Sequence, residues 1–98
     1  MLEKLLKLEE GKTLEFKENV TSLDPIIRSV IAFANTAGGI IIIGIRDKTK
    51  DIVGIKNVLD NEERITNKIY DSIEPAIFPV ITITSWRKKE LIIIQVPH

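Results

Sequence analysis

A mixed α+β fold is predicted for this 98-residue chain: a β-sheet of about five strands, two main helices and a short N-terminal helix. Three observations lead there. Apolar residues recur at helical spacing in two long segments. They alternate, or run without a break, in five short ones. Nineteen isoleucines against three phenylalanines, one tyrosine and one tryptophan make the interior aliphatic and β-branched, which favours a substantial sheet. A chain of this length builds one core, so residues 1–98 are expected to form a single domain.

The elements follow in order. Leu2, Leu5, Leu6 and Glu9, three or four residues apart, predict the short N-terminal helix, interrupted near Gly11. In "TLEFKE", Leu14 and Phe16 alternate with Glu15 and Lys17, the pattern of a strand with one buried face and one wetted face. The next segment has complete helix punctuation: Asp24 as N-cap, Pro25 at the first helical position, an apolar stripe of Ile26, Ile27, Val30, Ile31 and Ala34, and Gly38 as left-handed terminator. "GIIIIGIRD" is apolar at odd and even positions alike and reads as a central strand buried on both faces, with Asp47 at its exit. "KTKD" is a turn and "DIVGI" a short partner strand, which predicts a hairpin over residues 40–55. Asp60 and Glu63 have capping-box spacing ahead of Ile65, Ile69 and Ile73, and Pro75 closes that helix. "VITITSW" and "ELIIIQV", joined by "RKK" and preceded by Pro79, form a second hairpin.

Composition excludes several classes. With no cysteine there is no disulfide scaffold, thiol nucleophile or cysteine-bound metal, as suits a reducing cytoplasm. The longest apolar run, residues 40–45 with a glycine inside, falls far short of the ~20 residues of a membrane helix, so no membrane association is expected. The charged N-terminus has no secretory apolar stretch. Fourteen cations balance fourteen acids, and any nucleic-acid surface must come from local clustering. The only histidine, His98, is the last residue, just after a strand, which points to the front part of a longer protein.

Gly38 and Gly39 follow the C-terminal end of a helix. That end carries partial negative charge and repels phosphate, so these glycines read as a cap and a sharp strand entry, with Asn35 as a local cap, and not as a nucleotide loop. "WRKKE", residues 86–90, joins an aromatic ring to three consecutive cations, Arg87, Lys88 and Lys89; this suits phosphate contact and base stacking, and it also suits ordinary protection of an exposed hairpin. Arg46, Lys48 and Lys50 form a second basic turn with the same two readings. Lys17 has Glu15, Glu18 or a phosphate as its expected partner. Glu10, Glu15 and Asp47 come from three local contexts; brought together they would offer oxygen ligands to Mg²⁺ or Mn²⁺, and kept apart they are solvated carboxylates.

The combination of "EGKTLEFKENV" with "VIAFANTAGGIIIIGIRDKTKDIVGI" resembles the Schlafen-type AlbA-like domain, and the likeness runs from about residue 3 to Val96. The resemblance implies an AlbA-like α+β fold that binds nucleic acid, DNA in the first place and RNA as the alternative, in front of a transcriptional regulator. It also implies, from eukaryotic relatives, a metal-dependent RNA endonuclease whose three acidic positions are matched here by Glu10, Glu15 and Asp47. That nuclease uses two lobes, and this chain supplies one, so a homodimer is expected. The binding reading needs no cofactor; the nuclease reading needs Mg²⁺ or Mn²⁺.

Three functions therefore stand side by side. The first is a nucleic-acid-binding module contacting phosphates through Lys17, Arg46, Lys48, Arg87, Lys88 and Lys89. The second is the nuclease. The third is a dimerisation or sensor module without a nucleic-acid role, resting on the balanced charge and the aliphatic C-terminal hairpin.

Overall fold

The structure, a computed structural model, describes residues 13–74 and 77–97. Strand β1 (Leu14–Lys17) leads through helix α1 (Asp24–Ala34) into β2 (Gly39–Ile43); helix α2 (Val58–Ser72) precedes a hairpin of β3 (Val80–Trp86) and β4 (Lys89–Val96). The strands lie in the order β1-β2-β4-β3. α1 returns the chain so that β2 runs parallel to β1, as a crossover must, whereas β4 pairs antiparallel with both β2 and β3.

The α+β expectation holds, with four strands among the described residues and not about five. The segment around Ile52 meets Ile45 in a single isolated bridge and does not extend into a strand. Gly44 (φ 113°) and Gly54 (φ 76°) turn the backbone, and the N–H groups of Val53 and Gly54 both reach the Gly44 carbonyl, at 2.8 and 3.0 Å, which removes them from any ladder. The expected N-terminal helix, Gly11 and the Pro75 stop lie outside the described residues.

β2 is buried on both faces, as its apolar run predicts: Ile41, Ile42 and Ile43 are all 0% exposed. Ile41 and Ile43 join Ile92, Ile94 and Val96 beneath the helices, where they meet Ile26, Ile27, Val30 and Phe33 of α1 and Ile65 and Ile69 of α2. Ile42 faces the other way, with Leu14, Phe16, Ile45 and Leu91, in a second cluster that Ile52 and Trp86 border. Each isoleucine fully withdrawn from water contributes about 1.5–3 kcal/mol before entropy is counted.

The helix starts differ from expectation. Asp24 is the first helical residue, not the N-cap: Leu23 holds that position because its carbonyl accepts from Ile27 N–H at 3.0 Å, and no side chain caps the end. Asp24 still places a carboxylate in the positive first turn. The buried stripe of α1 uses Phe33 where Ile31 was expected, and Ile31 is 37% exposed. In α2 the capping box of Asp60 and Glu63 does not form. The helix begins at Val58 behind Asn57, whose left-handed backbone (φ 52°) sets the start, and Asp60 falls within the first turn. At the other end Ile73 is already extended. None of the described helices is long and apolar enough to cross a membrane.

Candidate functional site

β1 divides its side chains between the two faces of the sheet. Register with β2 sets Leu14 and Phe16 beside Ile40 and Ile42, so they bury on the face away from the helices. Glu15 and Lys17 consequently point to the helix side, at the edge of the sheet, and both are half-buried rather than fully wetted. Ser29 of α1 donates its hydroxyl to Glu15 Oε2, and Lys17 Nζ stands 3.1 Å from that same oxygen. Arg28 and Pro25 complete a groove between the edge of β1 and α1. Of the two acids expected as partners for Lys17, Glu15 is the one it meets.

The basic residues expected to act gather at one end of the sheet, where β1 and β2 stop and β4 starts. Gly44 and Ile45 N–H both donate to Lys17 O, so the chain leaving β2 passes directly over the end of β1. The turn that follows carries Arg46, Lys48 and Lys50, closed by Arg46 N–H to Asp51 O at 2.9 Å and Lys50 N–H to Arg46 O at 2.8 Å. Arg46 Nε lies 3.7 Å from Glu18 Oε2, and Lys50 Nζ is over the Phe16 ring at 6.0 Å. The hairpin tip stands at the same end, because Trp86 pairs with Lys89 at the start of β4. The "RKK" turn is tighter than expected. Arg87 and Lys88 alone form it, and Lys89 belongs to β4, where its Nζ donates to Ile52 O at 3.0 Å. Arg87 covers Trp86, guanidinium to ring 5.3 Å, so that ring is not an open stacking platform.

Backbone conformation marks the same end. The non-glycine residues with positive φ among those described are Lys50 (61°), Asn57 (52°), Arg87 (48°) and Lys88 (69°), and all four lie here. Each left-handed residue with a Cβ costs about 1–2 kcal/mol. A two-residue hairpin turn with both φ values positive ordinarily takes Asn-Gly or Asp-Gly. This chain holds two long cations in it.

Two of the three acids fall among the described residues. Glu10 lies outside them, Asp47 is exposed in the turn after β2, and Glu15 is engaged by Ser29 and Lys17. No group of three or more His, Asp or Glu able to hold a metal ion is present among the described residues.

Three residues escaped the sequence reading. Ser29 carried no signal, since its partner lies fourteen positions away. Lys56 and Arg64 stand at the basic end and line a polar depression with Asn57 and Asn61. Neither sits in a run of cations, which is the one pattern that drew notice to the two turns. The glycines behave as expected. Gly38 (φ 78°) returns its N–H to Phe33 O at 2.8 Å, Asn35 is the C-cap of α1, and a Cβ at Gly39 would stand 2.5 Å from the Phe33 ring.

The Schlafen AlbA_2 family model matches residues 10–98. The chain belongs to this family. Among curated proteins, an uncharacterised ATP-binding protein of Ureaplasma parvum, UU034, is 32% identical over an alignment of 77 residues that covers 74% of this chain and 22% of that protein. The Schlafen AlbA_2 domain thus spans under a quarter of that relative's length. Among solved structures, the N-terminal domain of a RecG-related protein from Nitrosomonas europaea, named for an ATP-dependent DNA helicase, superposes with a TM-score of 0.80 at 21% identity, covering 99% of this chain and 70% of that one. The DIP2311 protein of Corynebacterium diphtheriae gives a TM-score of 0.76 at 23% identity over 98% of this chain and 24% of its own. Both confirm the fold of the Schlafen AlbA_2 domain.

Proposed function

We propose that this domain binds nucleic acid, DNA in the first place and RNA as the alternative, through the basic end of its sheet. The observation that carries the reading is the pair of turns there, 46–50 and 87–88, with Lys50, Arg87 and Lys88 held in left-handed backbone that a purely structural turn would give to glycine or asparagine. Lys48, Arg87 and Lys88 are the principal phosphate contacts. Lys89 gives one donor to the Ile52 carbonyl and joins them with the others, while Arg46 and Lys17 are tied to Glu18 and Glu15 and shape the surface around them. The name of the Nitrosomonas relative, drawn from a DNA helicase, is consistent with this reading. Because the chain spans 22% and 24% of two of its relatives, we read residues 1–98 as one domain of a longer cytoplasmic protein, a transcriptional regulator.

Fluorescence anisotropy with labelled duplex DNA, single-stranded DNA and RNA tests the proposal. About three phosphate contacts give a slope of log K against log salt of roughly −2 to −3. Binding indifferent to salt, or no binding to any probe at low salt, overturns it.

A second reading, a Mg²⁺- or Mn²⁺-dependent nuclease using Glu10, Glu15 and Asp47, draws support from Glu15 lying half-buried in a groove beside Lys17 and Arg28. Its test is cleavage of structured RNA in Mn²⁺ that Glu15→Ala and Asp47→Ala abolish. For the homodimer we assign the outer edge of β3. This seven-residue edge strand starts at Val80, 56% exposed, beside Phe78 and Tyr70, which are 65% and 57% exposed with ring centroids 5.9 Å apart.

A further inference from the structure

Between the two basic turns the chain runs from Ile52 to α2 across the end of the sheet, and a depression opens on each side of it. One is bounded by Lys88, Lys89 and Glu90; the other by Asn19, Asn57, Asn61 and Arg64. Gly54, Ile55 and Lys56 line both, so the two depressions share one wall and Lys56 belongs to each. The wall is fixed in place: Ile55 N–H donates to Glu90 O at 2.8 Å. Gly54 also sits so close to β4 that a Cβ there would be 3.0 Å from Lys89 Cβ.

Two of the cations along this path, Arg64 and Lys89, are held by hydrogen bonds. Arg64 Nη1 donates to Asn61 Oδ1 at 2.7 Å and to Val20 O at 3.4 Å, and Asn61 Nδ2 in turn donates to Lys56 O at 2.8 Å. A guanidinium has five N–H donors, so most of Arg64's capacity remains for a ligand. Lys89, tied to Ile52 O, keeps two of its three donors. Against Lys56, Arg64, Lys88 and Lys89 the lining among the described residues sets a single carboxylate, Glu90, whose Oε2 already accepts the Ser85 hydroxyl at 2.9 Å. A chain with no net charge has concentrated four cations on one continuous surface. The amides of Asn19, Asn57 and Asn61 add neutral hydrogen-bonding groups, the composition suited to sugar and phosphate oxygens.

We propose that the two depressions flanking residues 54–56 form one track for the phosphodiester backbone of a nucleic-acid strand, in which Lys56 and Arg64 extend the contacts made by Lys88 and Lys89. The track rests on the nucleic-acid reading above and gives it a direction, from the hairpin tip past the start of β4 to the first turns of α2. It assigns phosphate contacts to two residues outside both basic runs.

The experiment measures anisotropy of the full 98-residue chain on 20-nucleotide single-stranded RNA, single-stranded DNA and duplex DNA over a salt series. Wild type, Lys56→Gln, Arg64→Gln, Arg87→Gln/Lys88→Gln and the control Lys68→Gln are compared. Lys68 is half-buried on α2 and lines neither depression. Lys56→Gln and Arg64→Gln are each expected to weaken binding several-fold and to make the salt slope shallower by about 0.7–0.9, one lost contact, with Lys68→Gln unchanged. The probe type showing these losses tells RNA from DNA. If wild type binds and Arg87→Gln/Lys88→Gln weakens it, while Lys56→Gln and Arg64→Gln keep the wild-type affinity and slope, the track is wrong and the binding reading survives. If wild type binds none of the probes, both fall. Arg64 also contacts Asn61 and Val20 O, so Lys56→Gln, which changes an exposed side chain only, decides the matter should Arg64→Gln unfold the domain.

Discussion

Ser29 on α1 donates its hydroxyl to the carboxylate of Glu15 on β1, joining the first strand to the first helix at the edge of the sheet. Lys17 reaches the same oxygen, so the polar face of β1 is a bonded seam. A hydrogen bond to a carboxylate contributes about 1.5–3 kcal/mol, and partial exposure brings this one to about 1 kcal/mol. Ser29→Ala is expected to lower stability by that amount in urea unfolding, a fall in Tm of about 4–8 °C. No change would mean that the hydroxyl is as well satisfied by water.

Glu15 also separates the two functional readings. As a structural acid, Glu15→Ala destabilises by about 1 kcal/mol and leaves anisotropy on nucleic acid at wild-type affinity or tighter, since a negative charge is lost. As a metal ligand it is indispensable, and any Mn²⁺-dependent RNA cleavage by the wild type disappears in this variant. Gel analysis of structured RNA beside the binding curve distinguishes the two.

The hairpin tip is expected to trade stability for binding. Arg87 and Lys88 hold left-handed backbone at φ 48° and 69°. Replacing them by Asn and Gly relieves about 1–2 kcal/mol of strain and raises the unfolding midpoint. The same double variant removes two cations, so its salt slope should become shallower by roughly 1.5 and its affinity should fall at least tenfold. A stabilised variant with unchanged affinity would return the tip to a purely structural role.

Gly39 opens β2 against α1. A Cβ there would press into the Phe33 ring, 2.5 Å away, and that ring is packed in the core. Gly39→Ala is therefore expected to cost about 1–3 kcal/mol, measured by thermal unfolding. Gly38→Ala acts by another route, forcing φ 78° on a residue with a Cβ, at about 1 kcal/mol.

The outer edge of β3 predicts self-association. Sedimentation equilibrium of the wild type should show a concentration-dependent dimer, and Val80→Lys, which places a charge on that edge, should shift it to monomer without loss of fold. A wild type that stays monomeric at every concentration would remove the homodimer.

Much of the fold is legible because each long signal is local. The unbroken run at residues 40–43 means burial on both faces whatever surrounds it, and β2 is indeed enclosed by two apolar clusters. Alternation in "LEFK" and "VITITSW" likewise gave strands whose limits hold to the residue for β3. Caps were less legible. Asp60 and Glu63 satisfy a capping box as letters, but the helix starts earlier, behind Asn57 in a left-handed backbone. "DIVGI" has the composition of a strand, yet Gly44 and Gly54 bend the chain away from any ladder.

For the site, the sequence alone determined which residues carry charge, that Arg87 and Lys88 lie at a hairpin tip, and that Glu15 and Lys17 share one face of β1. Periodicity and turn chemistry act over a few residues, so these follow without knowledge of the fold. Only the tertiary structure decided that the polar face of β1 meets α1, that Ser29 answers Glu15, and that Lys56 and Arg64 join the hairpin tip at one end of the sheet. Those juxtapositions come from strand order and from the crossover of α1, which bring together residues tens of positions apart, and no local preference encodes the meeting.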